Sequence, residues 1–386
     1  MSVKTPVYLD YQATTPLDPR VLDAMMPYLT EVFGNPHSST HAFGWQAEAA
    51  LDIAREQVAG VIGAKAEEIY FTSGATESNN LALKGIMEAW GKKRPHLVTV
   101  ATEHKCVLEA ATACERAGYK VTVLPVEADG LVDLERLSEA VTEETALVSV
   151  MAVNNEIGVI QPLAEIGSIA HAQGALMHTD AAQAFGKIPL DVNAMHIDLM
   201  SISGHKIYGP KGIGALYKRD SRRTALTPQM SGGGQEGGVR SGTQAPALVA
   251  GLGKAAEIAA QEMAQEQTRL AHMMERFRKK LFDAVPGLLV NGSLSERWAG
   301  NLNITVQGVD GDLLLASIRT LALSSGAACA SAVSGPSYVL AAIGRTREEA
   351  QSALRIGIGR FTTDEELDYA TDTLINAIAK LKGLAA

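Results

Sequence analysis

The strongest constraint on this chain is an alternation of helical and strand-like segments from residue 46 to about 217, with strands that read as continuous apolar runs. Trp45 to Gly63 places Leu51, Ala54, Val58 and Ile62 at the spacing of one helical face. Glu68–Thr72 reads as a strand and Thr76–Trp90 as the next helix. Further strands are expected at His96–Ala101, Lys120–Pro125, Ala146–Ala152, Leu176–Thr179, Ile197–Ser201 and Gly214–Tyr217, with helices between them. Strands that lack polar alternation belong to a sheet covered on both faces. The pattern therefore predicts an α/β fold whose mostly parallel sheet is sandwiched by helices. Ligands of such sheets bind beyond the carboxyl ends of the strands.

A glycine-rich stretch, Gly232 to Gly242, precedes Pro246, which stands at a plausible first helical position. The helical pattern then continues to about Phe282, about 54 Å at ~1.5 Å per residue. A helix of that length usually bridges two domains. Strands near Leu288–Val290, Asn301–Val306 and Leu354–Ile358 point to a smaller α+β unit. The expected division is a large domain over residues 15–257 and a small one made of 1–14 and 258–386. A chain of 386 residues, 46% hydrophobic, is large enough for both cores.

Charge and cysteine usage narrow the function classes. A net charge of −9 argues against nucleic acid as the main partner. No apolar run approaches the roughly 20 residues of a membrane span, and Met1–Asp10 lacks a signal-peptide core. A cytoplasmic location follows by default. The three cysteines contain no Cys-x-x-Cys pair, so neither a disulfide framework nor a metal site is expected. Cys106 and Cys114 read as small buried hydrophobes in an Ala-rich helix. Cys329, in the small-residue run Ser324–Ala332, reads as an accessible thiol.

The strand ends carry the chemistry. Lys206 follows the apolar run Ile197–Met200 in a Gly-punctuated turn, where desolvation and His205 would lower its pKa. That setting suits a lysine that forms a Schiff base. Ser73–Asn80 follows one strand and opens a helix, a start suited to cradling phosphate. Thr102-Glu103-His104-Lys105 supplies a flat ring, Asn154-Asn155 a pair of amides, and His178–Gln183 a carboxylate, Asp180, with another amide. An anion site, a carboxylate, a ring, amides and a lysine together match pyridoxal 5′-phosphate (PLP). No Gly-x-Gly-x-x-Gly follows the first strand, which excludes a nicotinamide dehydrogenase.

Seven ordered stretches carry a more specific likeness: Tyr8–Pro16, Phe33–Pro36, Phe71–Ser78, Asn154–Gly158, Ser203–Lys206, Arg240–Thr243 and Ser324–Gly326. Over nearly its whole length the chain resembles the cysteine desulfurases of the NifS/IscS type, PLP enzymes with the aspartate-aminotransferase-like fold. The resemblance implies that Lys206 holds the cofactor, Asp180 pairs with its ring nitrogen, His104 stacks on the ring, and Asn155 and Gln183 face the phenolic oxygen. Thr76, Ser203 and His205 would bind the phosphate beside Gly74 and Ala75. Thr243 would reach the phosphate of a partner subunit in a homodimer. Arg355, with Asn35, would clamp the substrate carboxylate. Cys329 would be the nucleophile that takes sulfur from L-cysteine as a persulfide, leaving L-alanine, with His104 as a base for one of the thiols.

The segment of about 324–336 would then deliver that sulfur to an acceptor protein, for iron–sulfur cluster or other thio-cofactor and thio-nucleic-acid synthesis. A selenocysteine lyase or other β-lyase is the nearest alternative, and a non-enzymatic sulfur-assembly scaffold the more distant one. The chain departs from its relatives at Gln235, Gly237, Ala327, Ala330 and Gly335. By the same resemblance the chain, ending at Ala386, would be without the tail that housekeeping members use to dock the iron–sulfur scaffold, so the resemblance does not imply which acceptor is served.

Overall fold

A computed structural model describes residues 3–325 and 336–383. Ala327, Cys329, Ala330 and Gly335 therefore lie outside the described residues. Among those described, the strands are β1 (Val7–Tyr8), β2 (Ile69–Thr72), β3 (His96–Val100), β4 (Lys120–Leu124), β5 (Thr145–Ser149), β6 (Leu176–Asp180) and β7 (Leu199–Ser203). They continue with β8 (Gly214–Lys218), β9 (Leu288–Val290), β10 (Asn301–Val306), β11 (Leu321–Ala322), β12 (Ser324–Ser325) and β13 (Ala353–Gly357).

The main sheet has seven strands in the order β2-β8-β7-β6-β5-β3-β4. From β4 through β7 all pairings are parallel, while β8 runs antiparallel to both β2 and β7. β3, β5, β6 and β7 are buried at every residue, as continuous apolar runs require. The edge strand β4 instead exposes Lys120 and Val123, a charged edge that discourages further pairing.

Side chains alternate between two cores, as the period of a strand dictates. Leu97, Leu147, Leu176, Leu199 and Leu216 face the helices Ala75–Trp90 and Lys105–Arg116. Val98, Val148, Met177, Met200 and Tyr217 face the other way, into a core shared with Leu51, Val58, Ile166 and Leu252.

That second core is continuous with the small sheet, β12-β13-β10-β9, all antiparallel. Helix Pro246–Ala284 spans 39 residues and begins with proline, as its sequence suggests. Its first half packs on helix Ala42–Ile62 so closely that a Cβ at Gly253 would lie 2.7 Å from Ala54 Cα. Its second half buries Leu270, Met274 and Phe277 in the core that holds Leu374 and Ile378.

The chain start has no independent place. β1 pairs in parallel with β11, and Asp10 bridges to Gly357. Residues 10–15 are thereby drawn across the carboxyl ends of the main sheet.

Candidate active site

A cavity of about 480 Å³ opens where β6, β7 and the helix Ala75–Trp90 converge. Lys206, Gly74, Ala75, Thr76, His104, Asn155, Asp180, Gln183, Ser203 and His205 all line it, so ten residues singled out in the sequence share one space. Gln12, Thr14, Cys106, Met151 and Lys211 line it too and had no assigned role.

The helix Ala75–Trp90 starts at the cavity with Gly74 as its N-cap and no side-chain cap, so its first N–H groups are left to a ligand. Gly74 has φ 147, a backbone that suits glycine, and a Cβ built there would meet nothing within 4 Å. Beside this cradle are the hydroxyls of Thr76 and Ser203 and the ammonium groups of Lys206 and Lys211. Lys206 follows β7 in a short 3-10 turn, and its Nζ donates to the backbone carbonyls of Gln12 (2.5 Å) and Ala13 (2.7 Å). His205 Nδ1 lies 3.0 Å from Thr14 Oγ1. Burial, then the charges of Lys206, Lys211 and Lys187, push its pKa down to about 4. His205 is thus neutral at pH 7 and places no positive charge beside Lys206, contrary to the electrostatic role expected for it.

At the far wall Asp180 ends β6. Its Oδ2 accepts from Asn79 Nδ2 at 2.7 Å and its Oδ1 from the Ala182 amide at 2.9 Å, which holds the carboxylate in one orientation. Glu103, behind it, is fully buried. Burial, then the nearby Asp180, raises its pKa well above the ordinary carboxyl range, so a second negative charge is avoided.

His104 caps the helix Lys105–Arg116 by accepting the Cys106 amide on Nδ1 at 3.2 Å. Cys106 Sγ lies 3.0 Å from the same nitrogen and accepts from Asn79 Nδ2 at 3.1 Å. Burial, then Asp180, raises the Cys106 pKa to about 12, so the thiol keeps its proton and can donate it to Nδ1. Burial lowers the His104 pKa as well. The ring is therefore neutral with its proton on Nε2, because a backbone amide can only donate. In this arrangement Nδ1 carries the ring's lone pair and faces Cys106, while Nε2 carries the proton. Cys106 itself departs from the expected plain core residue, whereas Cys114 is buried as expected. The available signal was position: Cys106 lies two residues past a histidine at a strand end.

Asn155 and Gln183 occupy the side wall. Asn155 Oδ1 is buried without a protein partner among the described residues. Gln183 donates from Nε2 to the Gln12 carbonyl at 2.8 Å and accepts on Oε1 from Lys187 Nζ at 2.9 Å. An uncapped helix start, a held carboxylate, a neutral ring and an orphaned amide oxygen fit PLP, a group with an anionic end, a basic ring nitrogen and polar ring substituents.

Three expected site residues do not line this cavity. Arg355, on β13, is 1% exposed; its Nη2 pairs with Asp10 Oδ1 at 2.7 Å and its Nη1 donates to the Asn155 carbonyl at 3.1 Å. Its Nε has no partner among the described residues. Thr243 is exposed, in a small recess that shares Ser73 and Gly212 with the cavity wall. Asn35 is exposed and its Oδ1 accepts the His37 amide at 2.9 Å. Gln235, one of the departures, closes its own loop by accepting the Gly242 amide at 2.8 Å.

The fold and the cavity together define a PLP-dependent enzyme of the aspartate-aminotransferase-like class. The chain belongs to the Aminotransferase class-V family, which matches residues 7–370. It is 54% identical over 380 residues to "Cysteine desulfurase IscS" of Rickettsia rickettsii (strain Iowa), covering 98% of this chain and 93% of that protein. Among solved structures it resembles a "NIFS-LIKE PROTEIN" with a TM-score of 0.90 and 35% identity, over 97% of this chain and 100% of the other. It also resembles "SspA in complex with cysteine", with a TM-score of 0.82 and 39% identity over 92% of this chain and 99% of the other.

Proposed function

We propose that the chain is a cysteine desulfurase that converts L-cysteine to L-alanine and passes the sulfur to Cys329 as a persulfide. The observation that carries this reading is the convergence of Lys206, Asp180 and the uncapped helix start on one cavity, in a chain 54% identical to an IscS desulfurase over nearly its full length.

PLP, when bound, supplies the electron sink that labilises bonds at the substrate's α-carbon. The chain's own residues do the rest. Asp180, held by Asn79 and Ala182, keeps the ring nitrogen protonated. The start of helix Ala75–Trp90, with Thr76, Ser203 and His205, would hold the phosphate, and Lys206 would anchor the cofactor and serve as the base for the α-proton. His104 would stack on the ring as a neutral imidazole and serve as a base for one of the thiols. Arg355 binds the substrate carboxylate, with Asn35. The Cys329 thiolate attacks the substrate sulfur; the S–S bond forms as the C–S bond breaks, and the electron pair left on carbon is protonated to give alanine.

The protein is proposed to act as a cytoplasmic homodimer that delivers sulfur to an acceptor protein for iron–sulfur or related thio-cofactor synthesis. Exposed Thr243 supports the dimer, as do the exposed apolar side chains Leu22, Met26, Leu29, Phe33, Phe43 and Trp45 near the two N-terminal helices. No helix among the described residues is long and apolar enough to cross a membrane. In the proposed division the large domain of residues 15–257 supplies most of the cavity wall, and the small one supplies Gln12 and Thr14 together with Arg355 and Cys329.

Replacing Cys329 with Ser tests the reading. The loaded enzyme should keep its visible absorption and lose persulfide and alanine formation from cysteine. Undiminished alanine formation would refute the assignment of Cys329.

A further inference from the structure

We propose that Lys187 is a positioning residue that fixes which end of the Gln183 amide faces the cofactor's phenolic oxygen. This rests on the reading of the cavity as a PLP site in which Gln183 contacts that oxygen.

Lys187 is 8% exposed, and among the described residues no carboxylate lies within ion-pair distance of it. Its Nζ lies 4.6 Å from the centre of the Trp298 ring and donates to Gln183 Oε1 at 2.9 Å. A buried ammonium with so little compensation is costly, and burial pushes its pKa down to about 7, with Lys206 lowering it further and Glu266 opposing. A methionine or leucine would fill the same space at lower cost, so packing alone does not account for a lysine here.

The geometry of Gln183 supplies the account. An amide has an acceptor end and a donor end of nearly the same shape, and either could face the cavity. In its charged form Lys187 can only donate, so the ammonium selects Oε1. The Gln12 carbonyl can only accept, so it selects Nε2, at 2.8 Å. A flipped amide would set donor against donor and acceptor against acceptor. With Lys187 and Gln12 in place, one Nε2–H is used by Gln12 and the other remains for the cavity. The Gln12 carbonyl also accepts from Lys206 Nζ at 2.5 Å, so three hydrogen bonds connect the buried lysine to the cofactor-anchoring one.

The test is a double-mutant cycle on the holoenzyme, read as the pH midpoint at which its visible absorption band changes. Gln183→Ala should raise the midpoint by roughly half to one pH unit, the size of one hydrogen bond to the phenolic oxygen. Lys187→Met, which removes a buried charge at similar volume and should fold, is expected to raise it in the same direction by less, because the Gln12 carbonyl still holds Nε2. The double variant should match Gln183→Ala alone, because Lys187 acts through the amide. If Gln183→Ala moves the midpoint and Lys187→Met does not, the proposal is overturned and the Gln183 contact stands. If both shift and the shifts add, Lys187 acts by its own charge and positioning is again overturned. If Gln183→Ala leaves the midpoint unmoved, the underlying reading of Gln183 fails, and the proposal with it.

Discussion

Two buried polar clusters meet at Asn155, and they are wired in opposite ways. In the cavity, the helix start at Gly74 is uncapped and Asn155 Oδ1 is orphaned. Around Arg355 the two terminal nitrogens are engaged, Nη2 by Asp10 and Nη1 by the Asn155 carbonyl, and only Nε is left without a partner among the described residues. Asp10 is in turn held by Ser324 Oγ at 2.7 Å, and the neighbouring Glu156 by Ser337 Oγ at 2.5 Å. The contrast separates two kinds of binding. A site with unsatisfied groups suits an occupant that stays. A site whose arginine already holds a carboxylate suits one that comes and goes, because a substrate carboxylate replacing Asp10 exchanges like for like and the net desolvation cost is small.

The largest expected effect comes from Arg355→Gln. Losing a charge-assisted contact of about 1.5–3 kcal/mol should raise the KM for cysteine by roughly 10- to 100-fold. The cofactor's visible band should stay in place, since Arg355 does not line the cavity. Steady-state kinetics and an absorption spectrum check both. A lost band would show that the two clusters are not separable.

Asp10→Asn sharpens the same contrast with a smaller effect of opposite sign. Relieved of its internal carboxylate, Arg355 should bind cysteine more readily, lowering KM a few-fold. The buried guanidinium left without its counter-charge should cost on the order of 1–3 kcal/mol of stability, seen as a lower Tm. A KM that rises instead would mean that Asp10 orients Arg355 for the substrate rather than competing with it.

The cavity was far more legible in the sequence than the arginine cluster. Asp180, His104 and Lys206 each follow an apolar run that ends in a polar one, so they could be placed from the strands alone, whereas Gln12, Thr14 and Lys211 carry no such signal. The shift of β7 to Leu199–Ser203, two residues later than expected, moved no site residue off a strand end. Other contacts leave no local trace. Lys206 meets Gln12 across 194 residues and Arg355 meets Asp10 across 345. β1, β11 and β12, which carry the N-terminal segment and Ser324 into place, are two residues each and too short to show a period. Cys106 was hidden by its setting, because an Ala-rich helix makes any cysteine look like core.

The smallest effect tests the contrast through acid–base linkage. In the cavity, burial holds the neutral form of His205, with a folded pKa of about 4 against 6.5 in the open chain. Near Arg355, burial outweighs the Ser337 hydrogen bond and the arginine's charge, and raises Glu156 to about 7 from 4.5. The signs are opposite. Between about pH 4 and 6.5 the unfolded chain binds more protons at His205, so that contribution is lost as pH falls through the window. Between about pH 4.5 and 7 the folded chain binds more protons at Glu156, so that contribution is lost as pH rises through it. Glu156→Gln, neutral at every pH and of nearly the same shape, should therefore gain a few degrees in Tm relative to the parent as pH goes from 5 to 8. His205→Asn should gain relative to the parent as pH goes from 7 down to 4. Thermal melts of the cofactor-free protein at matched ionic strength measure both. Parallel pH dependences for the two variants would show that the clusters share one electrostatic environment, and the contrast between a site built to hold and a site built to exchange would fail.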